Sequence, residues 1–489
     1  MKGRITIYTI TGCPFCTQAK NKLRVLGLEF VEINLDVYKT RRKDMKQRTG
    51  RKTVPQIFFN AEHVGGFSDF DSLTKESLDQ LIKLVNENEA LDDAPPLPEG
   101  PEDKEGFEVS EFTCELDEYA ELVKQIKASG IVKSNGSFLW SYKNTFKGKE
   151  LVDWLVSSKE VDRTRGVAMA QNLLEKHFAH HVKKDLTEFH DDEKLYRFLE
   201  DDESNALNAD VASDCEPRPA AVVGESLRKF ILQLYAKYLS KDGKGVDYTA
   251  MKYSSEFKAY VNHTAELKRV QLEELTKEEK LAFFINTYNA LVIHANVVNG
   301  PPVSLMQRYR FFNVVSYIIG GHKYSLHEIE SGILRANRRP VASFFRPFSK
   351  TDPRLAFALQ EPEPLIHFAL VCGAKSCPPI KTYTPQDIYE EMKLAGEAFL
   401  EGRWLSNHSG KREVKLSMIF KWYKEDFGYD KNEVALLSDC LELKGIKKVV
   451  LWVYDHMGEC QKKKDLAELL VTGDFKLTHM SYNWSLNSK

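Results

Sequence analysis

The sequence predicts a multidomain α/β protein, and three observations carry that prediction. At 489 residues the chain exceeds what one hydrophobic core sustains. Two acidic stretches containing or followed by proline divide it. Within the blocks they bound, short apolar strand signals alternate with helical periodicity. A hydrophobic fraction of 42% and a charged fraction of 29% are ordinary for a globular protein, and the net charge of −2 makes no case for nucleic acid as a partner.

The boundaries follow from composition. From Leu91 to Glu118 eleven acidic residues stand against one basic residue, Lys104, with prolines at 95, 96, 98 and 101. Such a stretch cannot bury a core and reads as a linker. A second acidic run, Glu200 to Glu216, leads into Pro217 and Pro219. The expected organisation is a first block at 1–90, a linker at 91–118, a second block at 119–200, a linker at 201–220 and a third block at 221–489. The opening MKGRITIYTI reads as a buried strand rather than a signal segment, and no run nears eighteen uninterrupted apolar residues, so no membrane-spanning helix is expected. Eight cysteines are too sparse for a secreted disulfide scaffold, which makes the cytoplasm the expected compartment.

In the first block RITIYTI and EFVEINL read as strands around a helix from Thr17 to Leu26. VPQIFFN with the short strand ending at His63–Val64 forms a hairpin, and Ser72 to Val85 is an amphipathic closing helix. This βαβ opening followed by a hairpin and a helix is the thioredoxin-like pattern. Cys13-Pro14-Phe15-Cys16 sits where strand hands over to helix. There the unpaired backbone N–H groups and the helix dipole favour a thiolate at Cys13. Cys16, one turn on and more buried, can attack a mixed disulfide formed at Cys13. Pro14 suits the first helical turn, where a missing N–H costs nothing. A zinc site would need two more ligands, and the block offers only His63, so no metal is expected.

TGCPFC, Thr53-Val54-Pro55 and Gly65-Gly66-Phe67-Ser68-Asp69 resemble, in order and spacing, the dithiol glutaredoxin family. The resemblance implies glutathione as co-substrate, with protein or small-molecule disulfides as the other partners. It implies a cis Val54–Pro55 bond facing the dithiol, with the backbone of Thr53, Val54 and Pro55 against the cysteine of glutathione. Gly66, Ser68 and Asp69 would hold the γ-glutamyl end, and Arg51 or Lys52 the glycine carboxylate. The chain departs from many members by carrying Ile10 where they have a lysine, which removes one carboxylate contact. A paired-cysteine motif also argues against the single-cysteine class that carries iron–sulfur clusters.

The second block shows YAELVKQIKASGIV, a helix from about Lys149 burying Leu151, Val152, Trp154 and Leu155, and another carrying Val167, Ala170, Leu173, Leu174 and Phe178 at helical spacing. Leu195 to Phe198 looks like a closing strand. Phe146-Lys147-Gly148, Glu150 to Leu155 and Leu195-Tyr196-Arg197-Phe198 resemble the DEP domain, a winged-helix-like α+β fold of signalling proteins. The resemblance implies intracellular signal transduction through docking to proteins or anionic membranes. Lys143, Lys147 and Lys149 form a basic cluster that either meets anionic lipid, at about 1 kcal/mol per charge, or is a solvated hairpin. His177, His180 and His181 lack an acidic or cysteine partner close in sequence and read as packing or surface residues.

The third block is expected to be a mixed α/β domain whose topology the sequence leaves open. After a helix from Ser226 to Leu239, EKLAFFINTYNALVIHANVV is apolar on most sides, so it belongs inside a core. Asn286 and Asn289 on it must find partners, as clamps on a loop or as pocket residues. LIHFALVCGAKSCPPI reads as a buried strand, Leu365 to Val371, emptying into a turn with Cys372 and Cys377, and His367 is expected on the face opposite Cys372. Three readings compete here: a Cys–His nucleophile for hydrolase or acyl-transfer chemistry, a redox pair served by the first block, and inert buried thiols. Phe284 to Ala290, Ile329-Glu330 with Ile333-Leu334-Arg335, His367 through Pro378, Lys415 to Phe427 and Tyr482 to Asn487 resemble the domain-of-unknown-function family 547. The resemblance implies no settled activity, only kinship of some members to transglutaminase-like cysteine enzymes. Asn483 stands where many members have aspartate. The candidates there are Asn286, Asn289, Glu330, Arg335, His367, Cys372 and Cys377.

The sequence therefore leads to a glutathione-dependent thiol–disulfide oxidoreductase tethered to a signalling-type docking module. The alternatives are a redox-sensing adaptor without turnover, or a cysteine hydrolase or acyl transferase in the third block.

Overall fold

A computed structural model describes the chain apart from residues 11–13, 36–37, 39–40, 92, 98–114, 138–139, 185, 203, 212, 239–245, 342, 379, 403–412, 429–439, 459–460, 473–474 and 488–489. In the first block the strand Ile5–Thr9 is buried along its whole length, as a strand flanked on both sides must be. It pairs in parallel with Val31–Asn34 and antiparallel with Gln56–Phe59, and Glu62–Gly65 closes a four-stranded sheet. A parallel pair needs a crossover, and the helix Pro14–Val25 supplies it. That helix starts three residues before the expected Thr17, because proline at its first position is already set for helical φ. The pleat sends Ile5, Ile7, Ile57 and Phe59 to one core with Phe70 and Val85. Tyr8 and Phe58 go to a second core with Ile10, Cys16, Ile33 and Met45. The fold is thioredoxin-like, and the closing helix is Lys75–Glu87, capped by Thr74.

In the second block Lys133–Ser137, Trp140–Lys147, Leu195–Phe198 and Ala179–His181 form an antiparallel sheet in that spatial order. The helices Glu118–Ala128, Gly148–Lys159 and Arg163–Glu175 cover it. Phe146, Leu151, Val152, Leu155, Ala170, Leu173, Tyr196 and Phe198 are its fully buried centre, while Trp154 is only partly buried at its margin. Lys147, from the basic cluster, is taken by Glu193 at 2.6 Å, and His180 lies 3.2 Å from Asp202.

The second acidic stretch is not a solvated tether. Asn208 donates to the carbonyls of Thr264 and Ile318 at 3.0 Å and accepts from the Ile318 N–H at 2.8 Å. Lys268 donates to the carbonyls of Ala209 and Val211. Arg269 donates to those of Ser213, Cys215 and Lys176, pairs with the Asp117 carboxylate, and lies 3.4 Å above the Phe178 ring. Composition alone overlooks this because the attachment is made by one asparagine side chain and by backbone carbonyls rather than by apolar residues. Asp117 also caps the helix Glu118–Ala128 through the Tyr119 N–H, so one buried ion pair ties the second block to the third. Cys215, which the sequence reading passes over, is disulfide-bonded.

The third block is mostly helical. The helix Lys277–Asn299, opened by a Thr276/Glu279 capping box, packs against Ala220–Tyr238 in the largest core. It is long and apolar enough to cross a membrane, yet 94% of its most apolar stretch is buried inside the protein, which marks a core helix. The expected strand Leu365 to Val371 is instead a 3₁₀ turn, Pro364–Phe368. Pro364 sits in its first turn and the Glu363 carboxylate accepts from the Leu365 N–H. A short buried apolar run carries no period that separates strand from helix, and the proline decides it. Among the described residues the sheets here are two pairs, Ser316–Ile319 with His322–Ser325, and Glu413–Leu416 in parallel with Lys476–His479.

Replacing Arg269 by alanine removes the closest counter-charge of the buried Asp117 carboxylate and leaves it the partly exposed Lys176 at 3.3 Å. Arg269→Ala is expected to cost about 3–5 kcal/mol, read as a lower urea midpoint by tryptophan fluorescence.

Candidate functional site

Two groups of residues carry chemistry. In the first block Cys16 occupies the first turn of Pro14–Val25, 1% exposed, and Cys13 lies outside the described residues. The Val54–Pro55 bond is cis, and Val54 packs on the cluster that contains Cys16. A Cβ on Gly66 would lie 3.6 Å from the Pro55 carbonyl, which places the glycine turn beside the cis proline. Gly65 has φ +114° with the Asp69 side chain against its α-carbon, leaving no space for a Cβ. Asp69 accepts from the Gly66 N–H at 2.9 Å and pairs with Arg51. Phe15 and Phe67 rings lie 6.4 Å apart, joining the helix start to the same turn. Arg51, Val54, Pro55, Gly66 and Asp69 thus lie together beside the start of the cysteine helix. Lys52 does not join them, because its ammonium is 2.6 Å from Glu390 on the third block's helix Ile388–Gly402. Ile10 is buried beside Cys16, so that position supplies packing. His63 stacks on Phe58 and bonds Gln56 at 2.7 Å.

The second group surrounds a cavity of about 570 Å³ in the third block, lined among others by Tyr288, Glu330, His367, Cys372, Cys377 and Tyr482. The turn bearing the two thiols begins at Gly373, φ +78°. The chain's last segment straps it: Asn487 N–H to the Gly373 carbonyl and Lys375 N–H to that of Ser485, both 2.8 Å, and Asn483 N–H to Ser376 Oγ at 2.8 Å. Asn483 acts through its backbone here and its Oδ1 accepts from the Ser485 N–H.

Strapping the turn brings the thiols together. Cys372 N–H donates to Cys377 Sγ at 3.2 Å, and the Tyr482 hydroxyl lies 3.3 Å from Cys377 Sγ and 3.6 Å from Cys372 Sγ. The neighbouring Cys377 side chain and burial push the Cys372 thiol up. Burial alone would raise Cys377, but bonds from Cys372, Tyr482 and backbone N–H groups bring it below an ordinary thiol. Beneath them Tyr423 donates to Glu330 at 2.7 Å and Tyr288 lies 3.5 Å from the same carboxylate.

His367 lines the same cavity, not the far side of a strand. It stacks on Tyr423, ring centres 3.9 Å apart, and its Nε2 is 2.8 Å from Asp426 Oδ2. Arg335 and Arg338 grip the same carboxylate. Against the burial that would raise it, His367 and Arg335 hold Asp426 well below the usual carboxylate range. Arg335 therefore stands behind the cavity. Asn286 and Asn289 are clamps: the first exchanges two bonds with the Tyr383 backbone at 2.7 and 3.0 Å, the second bonds the Ala369 carbonyl and the Val371 N–H at 3.0 and 2.9 Å. Tyr288, Tyr423, Asp426 and Tyr482 were not singled out from sequence, although each lies inside or beside a motif that was. Among the described residues no three His, Cys, Asp or Glu side chains are grouped to hold a metal.

Comparison with known proteins places three families along the chain: "Glutaredoxin" over residues 5–64, "Domain found in Dishevelled, Egl-10, and Pleckstrin (DEP)" over 131–198, and "Protein of unknown function, DUF547" over 272–400. Glutaredoxin 3 of Escherichia coli (strain K12) is 42% identical over 82 residues, 17% of this chain and 99% of that protein. The glutaredoxin of Neisseria meningitidis serogroup A is 41% identical over 80 residues, 16% and 94% respectively. A solution structure of glutaredoxin from Brucella melitensis, 43% identical, covers 17% of this chain and 91% of its own, with a TM-score of 0.16.

Two outcomes test the third-block geometry. Asn289→Ala unpairs a buried carbonyl and N–H and is expected to cost about 1–3 kcal/mol in thermal or urea unfolding. Burial lowers the His367 pKa, with Asp426 opposing, so the unfolded chain takes up a proton the folded one refuses. Its stability is complete above about pH 6.5 and declines below that value. His367→Gln is expected to flatten the decline between pH 7.5 and 5 by up to about 1.4 kcal/mol per pH unit, measured as urea midpoints.

Proposed function

We propose, for a chain that belongs to the glutaredoxin family through its first domain, that this domain is a glutathione-dependent thiol–disulfide oxidoreductase acting through Cys13 and Cys16. The supporting observation is the convergence of buried Cys16, the Val54–Pro55 edge and the Gly66–Asp69 turn. The Cys13 thiolate attacks a disulfide, forming a mixed disulfide and releasing one thiolate, which takes up a proton. Cys16 then attacks Cys13 sulfur and releases the second thiol, or glutathione does so in its place. Two glutathiones reduce the resulting disulfide and leave as glutathione disulfide. Thr53, Val54 and Pro55 offer backbone to the glutathione cysteine, Gly66, Ser68 and Asp69 meet its γ-glutamyl end, and Arg51, or Lys52 once released from Glu390, its glycine carboxylate. The DEP domain would dock the enzyme to a protein or an anionic membrane in the cytoplasm, coupling redox chemistry to signalling.

A second reading, a redox sensor with restrained turnover, draws on one contact. Lys52 is paired with Glu390 of the third block and so is held away from a glutathione carboxylate.

In a β-hydroxyethyl-disulfide assay on the full chain, Cys13→Ser is expected to abolish turnover, while Cys16→Ser keeps deglutathionylation. Full turnover by Cys13→Ser overturns the proposal. Glu390→Gln frees Lys52 and is expected to lower the glutathione KM about two- to five-fold, the worth of an exposed ion pair.

A further inference from the structure

We propose that Cys372 and Cys377 are a second dithiol–disulfide site, entered through the third block's cavity by a low-molecular-weight disulfide. The site is independent of the Cys13/Cys16 chemistry. Three features of its construction carry the proposal. First, the turn from Cys372 to Cys377, closed by the Cys377 N–H on the Ala374 carbonyl at 2.9 Å, folds one thiol onto the other. Cys377 Sγ accepts from the Cys372 N–H, and the Tyr482 hydroxyl contacts both sulfurs. Second, both thiols are half-buried at the wall of a cavity of about 570 Å³, within the range that takes small ligands. The aromatic side chains of Trp422, Trp484 and Tyr309 offer it apolar walls. Third, among the described residues no base is hydrogen-bonded to either thiol. The bonds of the two sulfurs go to the Tyr482 hydroxyl and, for Cys377, to the Cys372 N–H, while His367 bonds Asp426 and neither sulfur.

Acyl transfer needs a base beside its nucleophile. Disulfide exchange needs only a thiolate, a second thiol within reach and access. The site has these. Cys377 Sγ accepts the Cys372 N–H at 3.2 Å and lies nearer the Tyr482 hydroxyl, 3.3 Å against 3.6 Å for Cys372 Sγ; these donors favour its thiolate, which makes Cys377 the attacking sulfur and Cys372 the resolving one. Cys377 thiolate attacks glutathione disulfide: a Cys377–glutathione bond forms, the glutathione S–S bond breaks, and one glutathione thiolate leaves and is protonated. Cys372, losing its proton as it attacks, forms a bond to Cys377 sulfur and expels the second glutathione. The protein gives up two electrons and two protons, and one glutathione disulfide becomes two glutathiones.

The test is redox titration of the full-length protein in glutathione buffers from fully reduced to fully oxidised, quenched with acid, alkylated and digested with trypsin. Lys375 lies between the two cysteines, so an internal disulfide joins peptide 355–375 to peptide 376–381 and weighs two hydrogens less than their sum. We expect that joined pair to rise with oxidation and to disappear on return to reduced buffer, in wild type and equally in Cys13→Ser/Cys16→Ser. Cys372→Ser is expected to accumulate glutathione on Cys377, because nothing resolves it. Tyr482→Phe is expected to slow Cys377 alkylation at neutral pH several-fold, without loss of the near-ultraviolet circular dichroism of the fold. Two results overturn the proposal: thiols that stay alkylatable throughout, or glutathione on wild-type Cys377 that never gives way to the joined peptides. Failure of the Cys13/Cys16 reading alone leaves the joined peptides in place.

Discussion

The helix Lys277–Asn299 is buried on nearly every side, and so the two amides on it must be satisfied from within the protein. That requirement organises the third block. Asn286 takes both backbone groups of Tyr383, and Asn289 takes the Ala369 carbonyl and the Val371 N–H. The second clamp ends one residue before Cys372. A loop with no strand partners is thereby held as firmly as a strand would be, and the thiol turn inherits its position from a helix some eighty residues earlier in the chain.

The other side of the turn depends on the C-terminal segment. Bonds from residues 483–487 to residues 373–376 close the strap, and Tyr482 enters the cavity beside it. Behind, Asp426 collects His367, Arg335 and Arg338, a buried anion shared among several donors, as its desolvation demands. These contacts divide the labour around the cavity. The asparagines and the arginine hold the frame, while thiols, tyrosines and Glu330 face the space inside.

The same rule joins the domains. Arg269 places one buried guanidinium against the Asp117 carboxylate, three carbonyls and the Phe178 ring. A charge that deep is tolerated only where its donors are matched, which is why an acidic stretch expected to be solvated lies against the third block. The ion pair between Lys52 and Glu390 is of another kind, half-exposed at both ends and correspondingly weak.

What the sequence by itself determined is the part written in local rules. A proline after Cys13, a glycine pair before Asp69, and apolar residues alternating along Ile5–Thr9 fold through neighbours a few residues away, and the family of the first domain was legible from them. The DEP and 547 motifs were legible in the same manner. The tertiary structure alone decided that His367 shares a cavity with Cys372, that the asparagines are clamps, and that Tyr288, Tyr423, Asp426 and Tyr482 complete the site. Those facts depend on which distant group satisfies a buried polar atom. Hydrophobic periodicity reports that an atom is buried and carries no information on the partner it finds.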